Sequence, residues 1–146
     1  MSAVTVTKRN RHRMMYFLRQ CYDNKKGHGR DLEVTIDVIY LENLLASQRG
    51  LCAYTRRPLI MPSVPVQCGR NVAFPKGINM AYAASLDRID STQGYVAGNV
   101  QFVCRFINLG KQDLSDEQVR EFVEDVVVNW SVSDTVLTGL EPNLES

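Results

Sequence analysis

Apolar residues recur at helical spacing in three stretches of the chain. The first stretch lies between residues 11 and 21, the second runs from Thr35 to Gly50, and the third begins at Ser115. Each pattern predicts an amphipathic helix. We expect Thr35 to cap the second helix and Gly50 to end it, while Ser115 and Gln118 form a capping box for the third.

Between the second and third helices, the pattern changes to that of two strands and a short helix. Residues 85–89 alternate between apolar and polar, residues 91–98 are rich in turn formers, residues 100–103 are β-prone, and residues 105–111 can form a helix. This order places a carboxylate at the end of the first strand opposite an amide on the helix. The chain is therefore expected to have an α+β fold.

The carboxylate is that of Asp87 and the amide is that of Asn108. An anionic and a neutral oxygen are ligands that Mg²⁺ accepts, together with waters and the oxygens of a phosphate substrate. The chemistry that this pair predicts is phosphodiester hydrolysis, in which the metal stabilises charge on the scissile phosphate and its leaving oxygen. The alternative is structural, with residues 87–90 forming a surface salt-bridge strand and Asn108 acting as a cap or turn residue.

The residues around this pair follow a recognisable order. They are Asp87, Arg88, Ile89, Gly94, Tyr95, Asn99, Val100, Cys104, Asn108 and Lys111. Upstream, residues 48–59 read QRGLCAYTRRPL, which is similar to a QxGxCAxTGxPL pattern. Together these residues resemble the HNH endonucleases, also called ββα-metal or His-Me finger nucleases, and especially their phage-type members. The resemblance covers residues 35–114 and implies a ββα-metal core and a divalent-metal-dependent DNA endonuclease.

The resemblance also implies a role for each residue of the site. Asp87 and Asn108 would hold one Mg²⁺ or Mn²⁺ ion, and Asn99 would pin the loop between the strands. Arg88 stands where most of the family has the histidine that activates water. Because arginine stays protonated and has no acceptor, Arg88 is expected to bind the scissile phosphate instead. Asp90 is a candidate for orienting Arg88, accepting a proton or capping the turn. The general base is left open among Asp90, Tyr82, Tyr95, His12, His28 and a metal-bound hydroxide.

Many relatives also hold a structural zinc ion with two Cys-x-x-Cys knuckles. The matching positions here read Cys52-Ala-Tyr-Thr55 and Cys104-Arg-Phe-Ile107, so half of the thiolate ligands are replaced. We therefore expect Cys52 and Cys104 to be small buried apolar residues, without structural zinc. The four cysteines, without a secretory signal, indicate a reducing, cytoplasmic location.

The net charge of +1 conceals opposite charges at the two ends of the chain. Residues 8–30 contain eight Lys or Arg, whereas residues 113–146 contain nine acids and one base. A basic arm of this kind can follow a DNA backbone through contacts that position rather than specify. The alternative is a solvated helix face. The candidates for DNA contact are Arg11, Arg13, Lys25, Lys26, Arg30 and, beyond the arm, Lys111.

We expect three parts: a basic helix and loop over residues 1–34, the HNH-like nuclease domain over 35–130, and an acidic flexible tail over 131–146. No stretch approaches the ~20 apolar residues of a membrane helix. The resemblance implies that the partner is DNA. The competing hypothesis is a catalytically inactive HNH-like module that binds nucleic acid or regulates. A homodimer with the valine-rich last helix as its interface is left open beside a core role for that helix.

Overall fold

The computed structural model describes residues 8–27, 31–63 and 74–138. Within these ranges the protein is a small α+β fold with four α-helices and a two-stranded antiparallel sheet, which confirms the predicted class. The elements are α1 (Lys8–Gly27), α2 (Val38–Ser47), β1 (Ala84–Arg88), β2 (Val100–Cys104), α3 (Arg105–Lys111) and α4 (Asp116–Thr138). In the described ranges, no helix combines the length and the apolar character needed to cross a bilayer.

The sheet sets the position of the residues singled out by the sequence. β1 and β2 pair so that Ala84 lies opposite Cys104 and Asp87 lies opposite Gln101. α3 begins at Arg105, directly after β2, and its Asn108 side chain contacts β1. The middle of β1 and the middle of α3 are therefore neighbours, although about twenty residues separate them in sequence.

The core combines α1 and α2 with the sheet. Its members are mostly aliphatic and aromatic, and the Phe17 ring of α1 meets the Phe102 ring of β2 edge to face at a centroid distance of 5.1 Å. Fully buried core side chains include Met14, Phe17, Leu41, Cys52, Phe102 and Val103. Within the apolar stripe predicted for the basic arm, Met14, Phe17 and Cys21 are buried in this core, whereas Met15 is 50% exposed. α1 thus forms part of the same core.

The chain divides into two compact units, with the boundary between Asp113 and Leu114. The functional boundaries at 34/35 and 130/131 stay predictions. In the second unit, the Ser115 hydroxyl accepts a hydrogen bond from Gln118 N at 3.1 Å and Gln118 Oε1 accepts one from Ser115 N at 2.9 Å, which confirms the capping box. α4 continues past residue 130 to residue 138 because the sequence contains no glycine or proline before Gly139 that would stop it.

α2 begins later than the pattern predicts. Its N-cap is Asp37, whose carboxylate accepts a hydrogen bond from Tyr40 N at 2.7 Å. Thr35, the predicted cap, lies in an extended segment and donates its N–H to Tyr95 O at 3.1 Å. A contact with a residue distant in sequence therefore keeps Thr35 out of the helix, and aspartate is an equally good cap two positions later.

Candidate functional site

The end of β1 and the middle of α3 border a cleft of about 500 Å³. Three predicted site residues line it, namely Asp87, Arg88 and Asn108. The other lining residues are Asn24, Leu32, Leu86, Tyr95, Gln112 and Asp113. Asp90 and Asn99, the other two predicted site residues, belong to the loop between the strands and its end. The structure thus brings a carboxylate, a guanidinium and an amide to one cavity.

Asp87 is a buried carboxylate that the Gln101 and Lys111 side chains contact. Its Oδ2 accepts hydrogen bonds from Lys111 Nζ at 2.8 Å and from Gln101 Nε2 at 3.0 Å. Only 4% of its surface is exposed. Sequence reasoning missed Gln101, although the antiparallel pairing that the pattern predicts would have placed a β2 residue directly across from Asp87. The two partners hold the Asp87 carboxylate in one orientation.

Lys111 is buried, whereas we expected it to contact a DNA backbone. Its Nζ donates to Asp87 Oδ2 at 2.8 Å, to Arg88 O at 2.6 Å and to Ile89 O at 3.2 Å. Three acceptors match the three donors of an ammonium group. The side chain points to the strand because Lys111 lies about one helical turn beyond Asn108, on the face of α3 that meets β1. Lys111 therefore holds the end of β1 rather than facing solvent.

Asn108 is oriented by β1. Its Nδ2 donates to Ser85 Oγ at 2.6 Å and to Leu86 O at 3.3 Å. Because a backbone carbonyl can only accept, the amide nitrogen must be the atom that faces the strand. The oxygen Oδ1 is then the atom of this amide that is available to a cation.

Arg88 holds the loop that follows β1. Its Nη1 donates to Ser91 O at 2.6 Å and to Gln93 O at 3.0 Å, and its guanidinium carbon lies 5.4 Å from the centroid of the Tyr95 ring. One end of the guanidinium is thus used by the protein itself.

Asn99 joins the two ends of the same loop. Its Oδ1 accepts a hydrogen bond from Asp90 N at 2.9 Å, and its Nδ2 donates to Asp90 O at 3.0 Å and to Gly94 O at 2.9 Å. The side chain is buried. These three bonds fix the loop that supplies the acceptors for Arg88.

Replacing Asn99 with alanine should lower the free energy of unfolding by about 2–3 kcal/mol, because buried backbone groups lose their partners. Urea denaturation followed by circular dichroism measures this change. Asn43→Ala is a matched control, since Asn43 is exposed on α2, and it should shift the stability by less than about 0.5 kcal/mol. Equal effects of the two substitutions would contradict the role of Asn99.

Asp90 is a turn residue in this structure. Its carboxylate accepts hydrogen bonds from the Thr92 hydroxyl at 2.6 Å, from Thr92 N at 2.9 Å and from Gln93 Nε2 at 2.9 Å. These hydrogen bonds lower the pKa of Asp90 below its usual value, and the bond from the Thr92 hydroxyl has the largest effect. A carboxyl with a lowered pKa is a weaker base, and Asp90 does not line the cleft. Of the three roles considered for Asp90, capping the turn agrees best with these contacts.

The other base candidates lie in different places. Tyr95 lines the cleft, but burial raises its pKa, and its hydroxyl accepts a hydrogen bond from Asn24 Nδ2 at 3.0 Å. The Tyr82 hydroxyl accepts one from an arginine outside the cleft. His12 is exposed on α1, and His28 lies outside the described residues. Asp113, which the sequence did not single out, is the cleft's other carboxylate besides Asp87 among the described residues.

The basic residues of α1 and its following loop that we predicted to contact DNA differ in their exposure and in their contacts. Arg11 is exposed on α1, whereas Arg13 is half-buried and donates from Nε to Pro62 O at 3.0 Å. Lys25 Nζ lies 3.2 Å from Asp31 Oδ1. Lys26 lies in the last turn of α1, and Arg30 lies outside the described residues. Arg13 therefore contributes to anchoring α1.

The three cysteines within the described residues lie in the core. Cys52 and Cys104 are buried, and Cys104 N donates to Cys52 Sγ at 3.2 Å. Cys21, also buried, lines a second cavity of about 360 Å³, and burial raises the pKa of its thiol to about 12. That thiol stays protonated and is not a nucleophile. Cys68 lies outside the described residues.

The donors of the cleft fit a hard cation with few protein ligands. Among the described residues, no group of three or more His, Cys, Asp or Glu side chains could hold a metal ion. Asp87 and Asn108 can supply one anionic and one neutral oxygen, and Mg²⁺ commonly completes its shell with water and phosphate oxygens. The ammonium of Lys111 shares Asp87 Oδ2, so a metal ion would have to bind beside it.

Comparisons of the chain with protein-family models, with curated proteins and with solved structures found no match. Its function is therefore inferred from the residues of the cleft and from the sequence pattern that carries them.

Proposed function

We propose that this protein is a divalent-metal-dependent endonuclease that hydrolyses DNA phosphodiester bonds at a ββα-metal site of the HNH type. The observation that carries the proposal is the meeting of Asp87, Arg88 and Asn108 in one cleft. The chain order of strand, strand and helix around this cleft agrees with the family that the sequence resembles. A single carboxylate beside an amide suits Mg²⁺ or Mn²⁺.

Asp87 and Asn108 would hold the metal ion. When bound, such an ion supplies positive charge that stabilises the scissile phosphate and the leaving oxygen. Gln101 and Lys111 keep the Asp87 carboxylate in one orientation, so little reorganisation is needed on binding. The structural support of this site thus comes from the opposite strand and from α3.

Arg88 would bind a non-bridging oxygen of the scissile phosphate and stabilise its added negative charge as water attacks. The carbonyls of Ser91 and Gln93, which accept hydrogen bonds from Nη1, keep the guanidinium at the end of β1. We infer that Asp113 is the carboxylate best placed to take the proton of the attacking water, because it lines the cleft and Asp90 does not.

The test is relaxation of supercoiled plasmid by the purified protein with Mg²⁺ or Mn²⁺ and with chelator. We expect metal-dependent nicking, and a rate about 10²–10³-fold lower for Asp87→Asn, the loss typical of removing one stabilising group. Asp125→Asn makes the same chemical change on α4, at a residue that does not line the cleft, and should leave the rate unchanged. Circular dichroism of both variants checks that they are folded.

Two outcomes of this assay would reject the assignment. Nicking that persists in chelator would rule out a metal-dependent reaction. Nicking by Asp87→Asn at the wild-type rate would place the reaction elsewhere.

A second candidate function is an inactive HNH-like module that binds DNA. It is favoured by the ammonium of Lys111 on Asp87 Oδ2 and by arginine at position 88, where the family has its histidine. Such a module would nick no plasmid with either metal, but its DNA affinity would fall steeply as salt concentration rises.

We propose DNA as the partner and the cytoplasm as the location, and the plasmid assay also distinguishes a homodimer from a monomer. Homodimers that cut both strands would produce linear plasmid directly, whereas a monomer would produce nicked circles first. The free, buried thiols of Cys21, Cys52 and Cys104 are in keeping with a reducing cytoplasm.

A further inference from the structure

One long part of the chain carries basic residues and no acidic ones. Residues 43–86 contain no Asp or Glu, although the whole chain has 16 acids. The basic residues in this stretch are Arg49, Arg56, Arg57, Arg70 and Lys76. Three of them belong to the turn over residues 48–59, which we call the arginine hairpin. These three are exposed, and within the described part of the chain none forms an ion pair with an acid.

The arginine hairpin is held rigidly against the sheet. Leu51 and Pro58 form a bridge across it, and Cys52 N donates to Arg57 O at 2.9 Å. The Gln48 side chain donates to Phe102 O and accepts from Phe102 N, both at 2.8 Å. Because the backbone is already ordered, side chains on it lose less freedom when they bind a partner.

Two of these arginines stand where the backbone favours glycine. Arg49 has φ 57° and Arg56 has φ 58°, both in the left-handed region. A residue with a side chain pays a conformational cost there that glycine does not. Such strained positions cluster where a side chain has a function that offsets the cost. The observation points to a use for both guanidinium groups.

Arg57 is oriented by an aromatic ring. Its guanidinium carbon lies 4.8 Å from the centroid of the Tyr82 ring, and Nη1 donates to the Tyr82 hydroxyl at 2.6 Å. A stacked guanidinium presents a fixed, planar fork, which matches phosphate oxygens.

Tyr82, the partner of Arg57, precedes Asp87 by five residues, and an extended chain of that length spans roughly 17 Å. That span corresponds to about five base-pair steps of a duplex.

We propose that the arginine hairpin is a second DNA-contacting surface, which binds backbone phosphates about half a helical turn from the cleft. The choice of DNA as the partner rests on the proposed function. In this proposal Arg49, Arg56 and Arg57 neutralise phosphates. Arg57 contacts the Tyr82 ring just before β1 begins, while Asp87 and Arg88 lie where β1 ends. Such contacts position the duplex and carry no sequence information.

The test measures the affinity of the protein for a fluorescently labelled 20-bp DNA duplex. Fluorescence anisotropy reports binding, in the presence of chelator, at salt concentrations from about 50 to 200 mM. The variant is Arg49→Gly with Arg56→Gly, which removes two guanidinium groups and relieves the backbone at both positions. We expect the slope of log affinity against log salt to fall by ~0.9 for each lost phosphate contact. The thermal midpoint should stay the same or rise, which separates lost binding from lost folding.

Arg120→Gln is the charge control, because it removes a positive charge from α4 outside the hairpin. Its salt slope should equal that of the wild type. A wild-type slope for the double glycine variant would overturn the inference, as would a wild-type protein that does not bind the duplex at 50 mM salt. Since chelator prevents metal-dependent cleavage, these outcomes are independent of the plasmid assay. If the wild-type protein cleaves plasmid but the double glycine variant has the wild-type salt slope, the nuclease proposal stands and the arginine hairpin is not a DNA-contacting surface.

Discussion

Replacing Lys111 with methionine should lower the free energy of unfolding by about 3–5 kcal/mol, the cost of breaking a buried ion pair from one side. The Lys111 side chain is fully buried and that of Asp87 is only 4% exposed. Methionine has a similar shape but no charge, so the Asp87 carboxylate would lose its ammonium partner. The carbonyls of Arg88 and Ile89 would lose a donor at the same time. Urea denaturation should show a lower midpoint with an unchanged slope.

The double variant Asp87→Asn with Lys111→Met separates charge from packing. Because it leaves no uncompensated charge buried, it should recover most of the stability lost by Lys111→Met alone. Lys76→Met is the matched control, since Lys76 is exposed, and it should change the stability by less than about 0.5 kcal/mol. If Lys111→Met unfolds at the wild-type midpoint, the ion pair is absent in solution and Asp87 has no cationic competitor.

Replacing Gly94 with alanine should destabilise the protein by about 3 kcal/mol, at the upper end of the range for overpacking. A Cβ atom at this position would overlap the Glu33 carbonyl oxygen and lie 2.8 Å from Glu33 N. Both neighbours are backbone atoms, so no rotation of a side chain can relieve the overlap. The hydrogen bond from Tyr95 N to Glu33 O, now 2.8 Å, would have to lengthen. Thermal denaturation should therefore show a large fall in midpoint.

Gly110 offers the control for this substitution. It lies in α3, and a Cβ atom there would meet nothing within 4 Å. Gly110→Ala should be neutral or stabilise the protein by up to about 1 kcal/mol, because alanine favours helix more than glycine does. Equal loss of stability in both variants would mean that the close approach of Gly94 to Glu33 does not exist. Since Gly94 immediately precedes Tyr95, its substitution should also disturb the cleft.

Local patterns account for the features that the sequence predicted. The alternation before Arg88 and the β-prone run after Asn99 correspond to β1 and β2, because side-chain period depends only on neighbouring residues. The capping box of Ser115 and Gln118 closes within one helical turn. Asp87 and Asn108 also line one cleft, as a strand followed by a return strand and a helix would bring about.

Contacts between residues distant in sequence determine the features that local patterns did not predict. Lys111 is a buried partner of Asp87 instead of a surface cation, because the packing of α3 on β1 turns its side chain inward. Thr35 is extended because it pairs with Tyr95, sixty residues later. The order of the elements and the residues that carry candidate chemistry can be predicted from the sequence alone, since these depend on local spacing. Which charges are paired and buried is visible only in the folded protein, because pairing depends on distances between segments that no local pattern records.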